Sequence, residues 1–217
     1  MWLNSSTTKY AHAAIWNDGI GNTTITNTKV FCSNYGYCIY NGNQTSPTGG
    51  TVTINGTSRI GTHPSNKYKY VIRLMAQTTL KVSDSARILA GGNCERFPFE
   101  SFTSSNVEFT STSSFNSIST SATLMNFLDA STLKFNTDGY LYCGGPYIFQ
   151  SGSNPVSLTL QKGKFVARTS NSLSKNTGGS NIPVASGPAN RSFWYMDAYN
   201  STGDSLKTIS NCYYYAK

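Results

Sequence analysis

Acidic side chains are scarce in this chain. Nine Asp and Glu stand against 17 Lys and Arg in 217 residues, and there are only two histidines. Charged residues make up 12%, roughly half the usual share of a soluble domain. The sequence holds no GxSxG, no Gly-rich phosphate loop and no HExxH, which leaves serine-hydrolase, nucleotide and zinc-peptidase chemistry without their motifs. No apolar run approaches the ~20 residues of a membrane helix, so no membrane insertion is expected. The start, Met1-Trp2-Leu3-Asn4-Ser5, has neither the basic segment nor the apolar core of an export signal, so no signal peptide is expected. No break in composition divides the chain, and residues 1–217 read as a single domain.

What is abundant is small and polar. The chain carries 30 Ser, 26 Thr and 21 Asn. These side chains compete with a helix for backbone hydrogen bonds and suit strands, turns and a hydrated surface. Fourteen Tyr, 11 Phe and three Trp can build a core without long aliphatic helices. The composition points to an extracellular β-domain that displays a surface rather than one that runs chemistry.

Five cysteines, Cys32, Cys38, Cys94, Cys143 and Cys212, form no CxxC pair. With so little histidine, disulfides in an oxidising compartment are favoured over a zinc site, and no cofactor is expected. Cys32 with Cys38 and Cys94 with Cys143 are two candidate pairs, and Cys212 can replace any member. The net charge of +8 suits an acidic cell surface or sialylated glycans. Lys67 and Lys69, then Lys162, Lys164 and Arg168, are spread at strand spacing rather than in a run, so no nucleic-acid partner is expected.

Short alternating runs separated by Gly, Pro, Asn and Ser predict many strands. Asn55-Gly56 predicts a hairpin between 51–54 and 57–60, and Asp138-Gly139 and Gly163 predict two more turns between strands. A long strand is expected over 68–75, with Tyr68, Tyr70, Ile72 and Leu74 on one face. An aromatic strand is expected over 193–199 and a final strand over 211–215. Residues 121–130 are the one candidate helix, with a strand as the alternative. Residues 101–121 read as a loop or an edge strand, 170–191 as a long surface loop, and no internal repeat is evident.

For catalysis, Glu95 with Glu100 and Asp18 with Asp197 are the available carboxylate pairs, and neither pairing is distinctive. His12 and His63 read as packed or solvated residues. A sugar site has better material, because amides and carboxylates bind vicinal hydroxyls and an aromatic ring covers the apolar sugar face. Trp16, Asn17 and Asp18 lie together at a turn. Asn34, Tyr35 and Tyr37 lie in the 32–43 segment, and Trp194 and Asp197 lie beside the long loop. Six Asn-x-Ser/Thr sequons, at Asn4, Asn22, Asn43, Asn55, Asn190 and Asn200, are compatible with a viral or eukaryotic ectodomain.

The order Val156-Ser157-Leu158-Thr159-Leu160, Lys162-Gly163-Lys164-Phe165-Val166-Ala167-Arg168, a polar loop, then Phe193-Trp194-Tyr195-Met196-Asp197-Ala198-Tyr199-Asn200 resembles the N-terminal lectin domains of chaperone–usher fimbrial tip adhesins. The resemblance covers about 155–206. It implies an elongated, all-β immunoglobulin-like or jelly-roll-type sandwich with at most one short helix. It also implies a glycan pocket fed by Asn171, Asn176 and Asn181, and a pilin domain following in the full protein. Pilus subunits and a periplasmic chaperone would be partners, and the protein would sit at a fimbrial tip. The 170–191 loop has no acid, unlike the mannose-type pocket, and Asn17-Asp18 follows Trp16 where the family's pair follows a cysteine. The expectation is therefore a secreted, non-enzymatic adhesin domain binding host cell-surface carbohydrate. A viral receptor-binding domain and a secreted glycan-active enzyme are the alternatives.

Overall fold

A computed structural model describes residues 2–4, 13–17, 21–33, 36–42, 49–62, 67–68, 70–94, 96–128, 131–145, 148–151, 157–167, 174–176, 184–186 and 212–216. Every described element is a strand, and every strand pairing is parallel. The chain winds as a β-solenoid, in which each turn stacks on the previous one. This replaces the expected immunoglobulin-like or jelly-roll sandwich, whose strands would run antiparallel.

Three stacks of strands make up the solenoid. The first contains β3 (Asn22–Thr26), β6 (Thr51–Asn55), β10 (Thr79–Val82), β14 (Asn106–Ser111), the first part of β17 (Thr132–Cys143), the first part of β19 (Ser157–Ala167) and β21 (Val184–Ser186). The second contains β1 (Trp2–Asn4), β4 (Lys29–Ser33), β7 (Arg59–Thr62), β11 (Arg87–Ala90), β15 (Ser114–Ser117), the later parts of β17 and β19, and β22 (Cys212–Ala216). The third runs β2 (Ala13–Asn17), β5 (Tyr37–Asn41), β9 (Tyr70–Leu74), β13 (Phe99–Ser101), β16 (Met125–Phe127), β18 (Phe149–Ser151) and β20 (Ser174–Asn176). A small side pair joins β8 (Lys67–Tyr68) to β12 (Asn93–Cys94).

The alternating apolar residues do form strands, but their connections differ from those expected. Asn55-Gly56 is no hairpin: β6 and β7 follow one another around a corner and each pairs with strands of the neighbouring turns. Gly56 supplies the left-handed backbone of that corner, with φ of 62°, where a Cβ would strike the Asn27 side chain. The turns expected at Asp138-Gly139 and Gly163 lie inside the continuous strands β17 and β19. Residues 121–130 hold β16 and no helix, and Val107 and Phe109 belong to an interior strand between β10 and β17. The 170–191 segment contains β20 and β21. The expected final strand is present as β22, whereas 193–199 lies outside the described residues.

An internal repeat does exist. Val52, Leu80, Val107 and Leu133 hold one register position in four successive turns, at spacings of 28, 27 and 26 residues. Ile60, Ile88, Phe115 and Leu141 do the same in the second stack, and Ile39, Ile72, Phe99 and Met125 in the third. All these side chains point inward and are fully buried or nearly so. Phe109, Phe135 and Phe165 pack as a tilted series with ring centroids 5.6 and 4.9 Å apart. Full burial of each large apolar side chain contributes about 1.5–3 kcal/mol, which works against the entropy of ordering the chain.

The hydroxyls are not only a surface coat. Ser58, Thr78, Ser105, Ser113, Ser117 and Ser119 are fully buried. At one corner Ser58 donates to the Ile25 carbonyl and Ser113 to that of Val82, both at 3.1 Å. At another, Thr78 and Ser105 both donate to the Met75 carbonyl. Short hydroxyl side chains thus satisfy carbonyls that the corners take out of the strand ladders.

No disulfide joins Cys32, Cys38, Cys94 and Cys143, so the expected staples are absent among the described residues. Cys32 and Cys38 are buried free thiols whose sulfurs donate to the carbonyls of Tyr37 and Gly61. Burial, and then the adjacent Cys32, push the Cys38 thiol well above its usual pKa. The side chain of Cys212 lies outside the described residues.

Candidate functional site

In the third stack, strand register lines up a row of side chains on the face turned away from the core. Trp16 neighbours Tyr40, Tyr40 neighbours Arg73, Arg73 neighbours Glu100, and the row continues through Asn126 to Gln150. The alternation of the strand forces this placement, because Ile15, Ile39, Ile72 and Phe99 take the inward positions.

Aromatic rings dominate one end of the row. Trp16 meets Tyr40 edge to face, with centroids 5.5 Å apart, and Tyr40 meets Tyr37 in the same way at 5.5 Å. Tyr37 in turn stacks on Tyr70, nearly parallel at 5.4 Å. The tyrosines are buried, whereas Trp16 is 62% exposed, the most exposed large apolar residue described. Among the described strands β2 is the last of its sheet, and Trp16 has one described register partner, Tyr40. Beside Trp16, the Asn17 amide nitrogen donates to Asn41 Oδ1 at 2.8 Å and to the Gly21 carbonyl at 2.9 Å. Those bonds use both amide hydrogens and leave the oxygen as an acceptor.

Further along, the row becomes ionic. Arg73 Nε lies 3.1 Å from Glu100 Oε2, Asn126 donates to Glu100 Oε1 at 3.3 Å, and the guanidinium sits 5.0 Å from the ring centroids of both Tyr70 and Phe102. Burial works against the charge of Arg73, but Glu100, Tyr70 and Tyr37 together hold its pKa above the ordinary value. Burial, followed by the Glu100 carboxylate, raises the Tyr70 phenol far above its usual range, with Arg73 opposing in part. Glu100 is 4% exposed, and this arrangement braces the aromatic stack from below.

Of the residues expected to bind sugar, Trp16, Asn17 and Tyr37 come together here. Tyr37 is buried as a support rather than displayed. Asp18, Asn34, Tyr35, Asn171, Asn181, Trp194 and Asp197 lie outside the described residues, and Asn176 is described only as part of β20. Glu95, the expected acid partner of Glu100, also lies outside them. Tyr40, Tyr70 and Arg73 are not among the expected site residues, and Glu100 is expected only as half of a catalytic carboxylate pair. The signal that identifies them is register: they share one face only once the repeat is aligned.

The chain matches no protein-family model, no curated protein and no solved structure.

Proposed function

We propose that this solenoid is a non-enzymatic carbohydrate-binding domain that recognises a cell-surface glycan, with Trp16 as its stacking platform. The observation that carries the reading is the exposed indole seated on a braced column of three tyrosines. The indole is 62% exposed yet packed edge-on against a buried ring, and a flat, rigid apolar surface of this kind suits the apolar face of a sugar ring. Because the rings are packed before a ligand arrives, little side-chain entropy is lost on binding.

The Glu100 carboxylate is engaged by Arg73 and Asn126, which favours a binding surface over hydrolysis. The solenoid also separates this reading from the pilus: the fimbrial lectins implied a sandwich, so the proposal concerns glycan recognition and not a fimbrial tip. A broad glycan array tests it. The wild-type protein should bind one related set of sugars, and Trp16→Ala should lose that set with an unchanged circular dichroism spectrum. Failure of the wild type to bind any glycan, or equal binding by Trp16→Ala, would overturn the proposal.

A further inference from the structure

On the second stack, Lys29, Arg59 and Arg87 are register partners on three successive turns, and all three are exposed. Neighbouring strands are about 4.8 Å apart, so three cations of one sign stand at the closest spacing the fold permits. Like charges directly opposite one another are unfavourable. Elsewhere the chain avoids this. On the first stack, Lys81, Glu108 and Lys134 occupy one row with alternating sign.

The described carboxylates have other roles. Glu100 pairs with Arg73, Asp138 with Lys162, and Asp84 accepts from the Gly56 amide. Among the described residues, no carboxylate lies within ion-pairing distance of Arg59 or Arg87. The row continues to Ser114, which is buried, and on the next strand the Tyr140 hydroxyl accepts from Asn116 at 3.0 Å. Half-buried Leu89, Asn116 and Tyr142 hold adjacent register positions two residues along.

We infer that this row is a second binding site, for a linear anionic polysaccharide lying along the solenoid axis. One sugar unit is comparable in length to one strand spacing, so carboxylates or sulfates on successive units can meet Lys29, Arg59 and Arg87 in turn. Tyr140 and Asn116 then offer hydroxyl and amide contacts to the continuing chain. Single-stranded nucleic acid requires aromatic faces open for base stacking, and the tyrosines beside this row are half buried. The site is distinct from the Trp16 surface and does not depend on it.

Calorimetric titration with polygalacturonate, neutral dextran and duplex DNA tests the inference. The wild type should bind polygalacturonate and not dextran, with affinity falling as salt rises, as counterion release requires. Arg59→Ala/Arg87→Ala should weaken that binding at least about tenfold. Lys29→Ala should weaken it less, and Trp16→Ala should leave it unchanged. Both arginine side chains are exposed, and an unaltered circular dichroism spectrum will show that the fold survives. Equal binding by the arginine double variant would overturn the site. So would absence of polygalacturonate binding, tighter binding of DNA at the same salt, or loss of binding in Trp16→Ala. Because the Trp16 variant is read separately, failure here is distinguishable from failure of the first site.

Discussion

Arg73 and Glu100 are Cα partners on adjacent strands of the third stack, and their side chains form an ion pair at 3.1 Å beneath the aromatic column. The side chains are only 17% and 5% exposed. Removing one partner from such a pair leaves an uncompensated charge in a poorly solvated place.

Glu100→Gln should therefore destabilise the fold by about 3 kcal/mol. In a chain of this size that corresponds to a fall of roughly 6–12 °C in the melting midpoint. The double variant Arg73→Met/Glu100→Leu should recover much of the loss, since it removes both charges and keeps the volume. Thermal melts of the three proteins check this. A Glu100→Gln midpoint equal to the wild type's would show that the pair does not brace the stack.

Tyr70 gives a pH dependence of definite sign. Its phenol is held well above the usual value by burial and by Glu100, so the folded chain keeps a proton that the unfolded chain releases. That contribution is intact below the ordinary phenol pKa near 10, and it is lost progressively as pH rises above it. Melting midpoints followed upward from about pH 9 should fall more steeply in the wild type than in Tyr70→Phe. Parallel slopes would contradict the assignment.

The sequence made the strands legible but hid how they are joined. Parallel strands buried on both faces read as continuous apolar runs. A solenoid strand keeps one face in water, so Val52, Ile54 and their flanking threonines alternate as they would in an antiparallel sandwich. Asn55-Gly56 then looks like a hairpin turn, although its left-handed glycine serves a corner between two stacks. The repeat was hidden because its length drifts and because Ile, Val, Leu and Phe exchange freely at each inward position. The same blindness separated Trp16 from Tyr40, Tyr70 and Arg73, which are distant in sequence and adjacent only in register.

Gly163 sits inside β19 with φ of 151°, and a Cβ there would run into the Phe135 ring. Gly163→Ala should cost about 1–3 kcal/mol through backbone strain and overpacking. Phe135→Leu placed in the Gly163→Ala background should relieve the overpacking component, so the two substitutions should be non-additive. Denaturant titration of the two single variants and the double variant reads this directly, and strictly additive losses would contradict it.

Both surfaces exist only because residues nearly 30 positions apart stand side by side in parallel register. Thr53 and Lys81 are such partners on the first stack, outside the core. Neighbouring strands place their Cα atoms within disulfide reach. The most direct measurement is mild oxidation of the double variant Thr53→Cys/Lys81→Cys, followed by peptide mapping in a mass spectrometer. The account predicts a cross-linked peptide joining positions 53 and 81 in the folded protein. Folded protein in which those two positions stay unlinked would contradict the solenoid register, and with it both proposed binding surfaces.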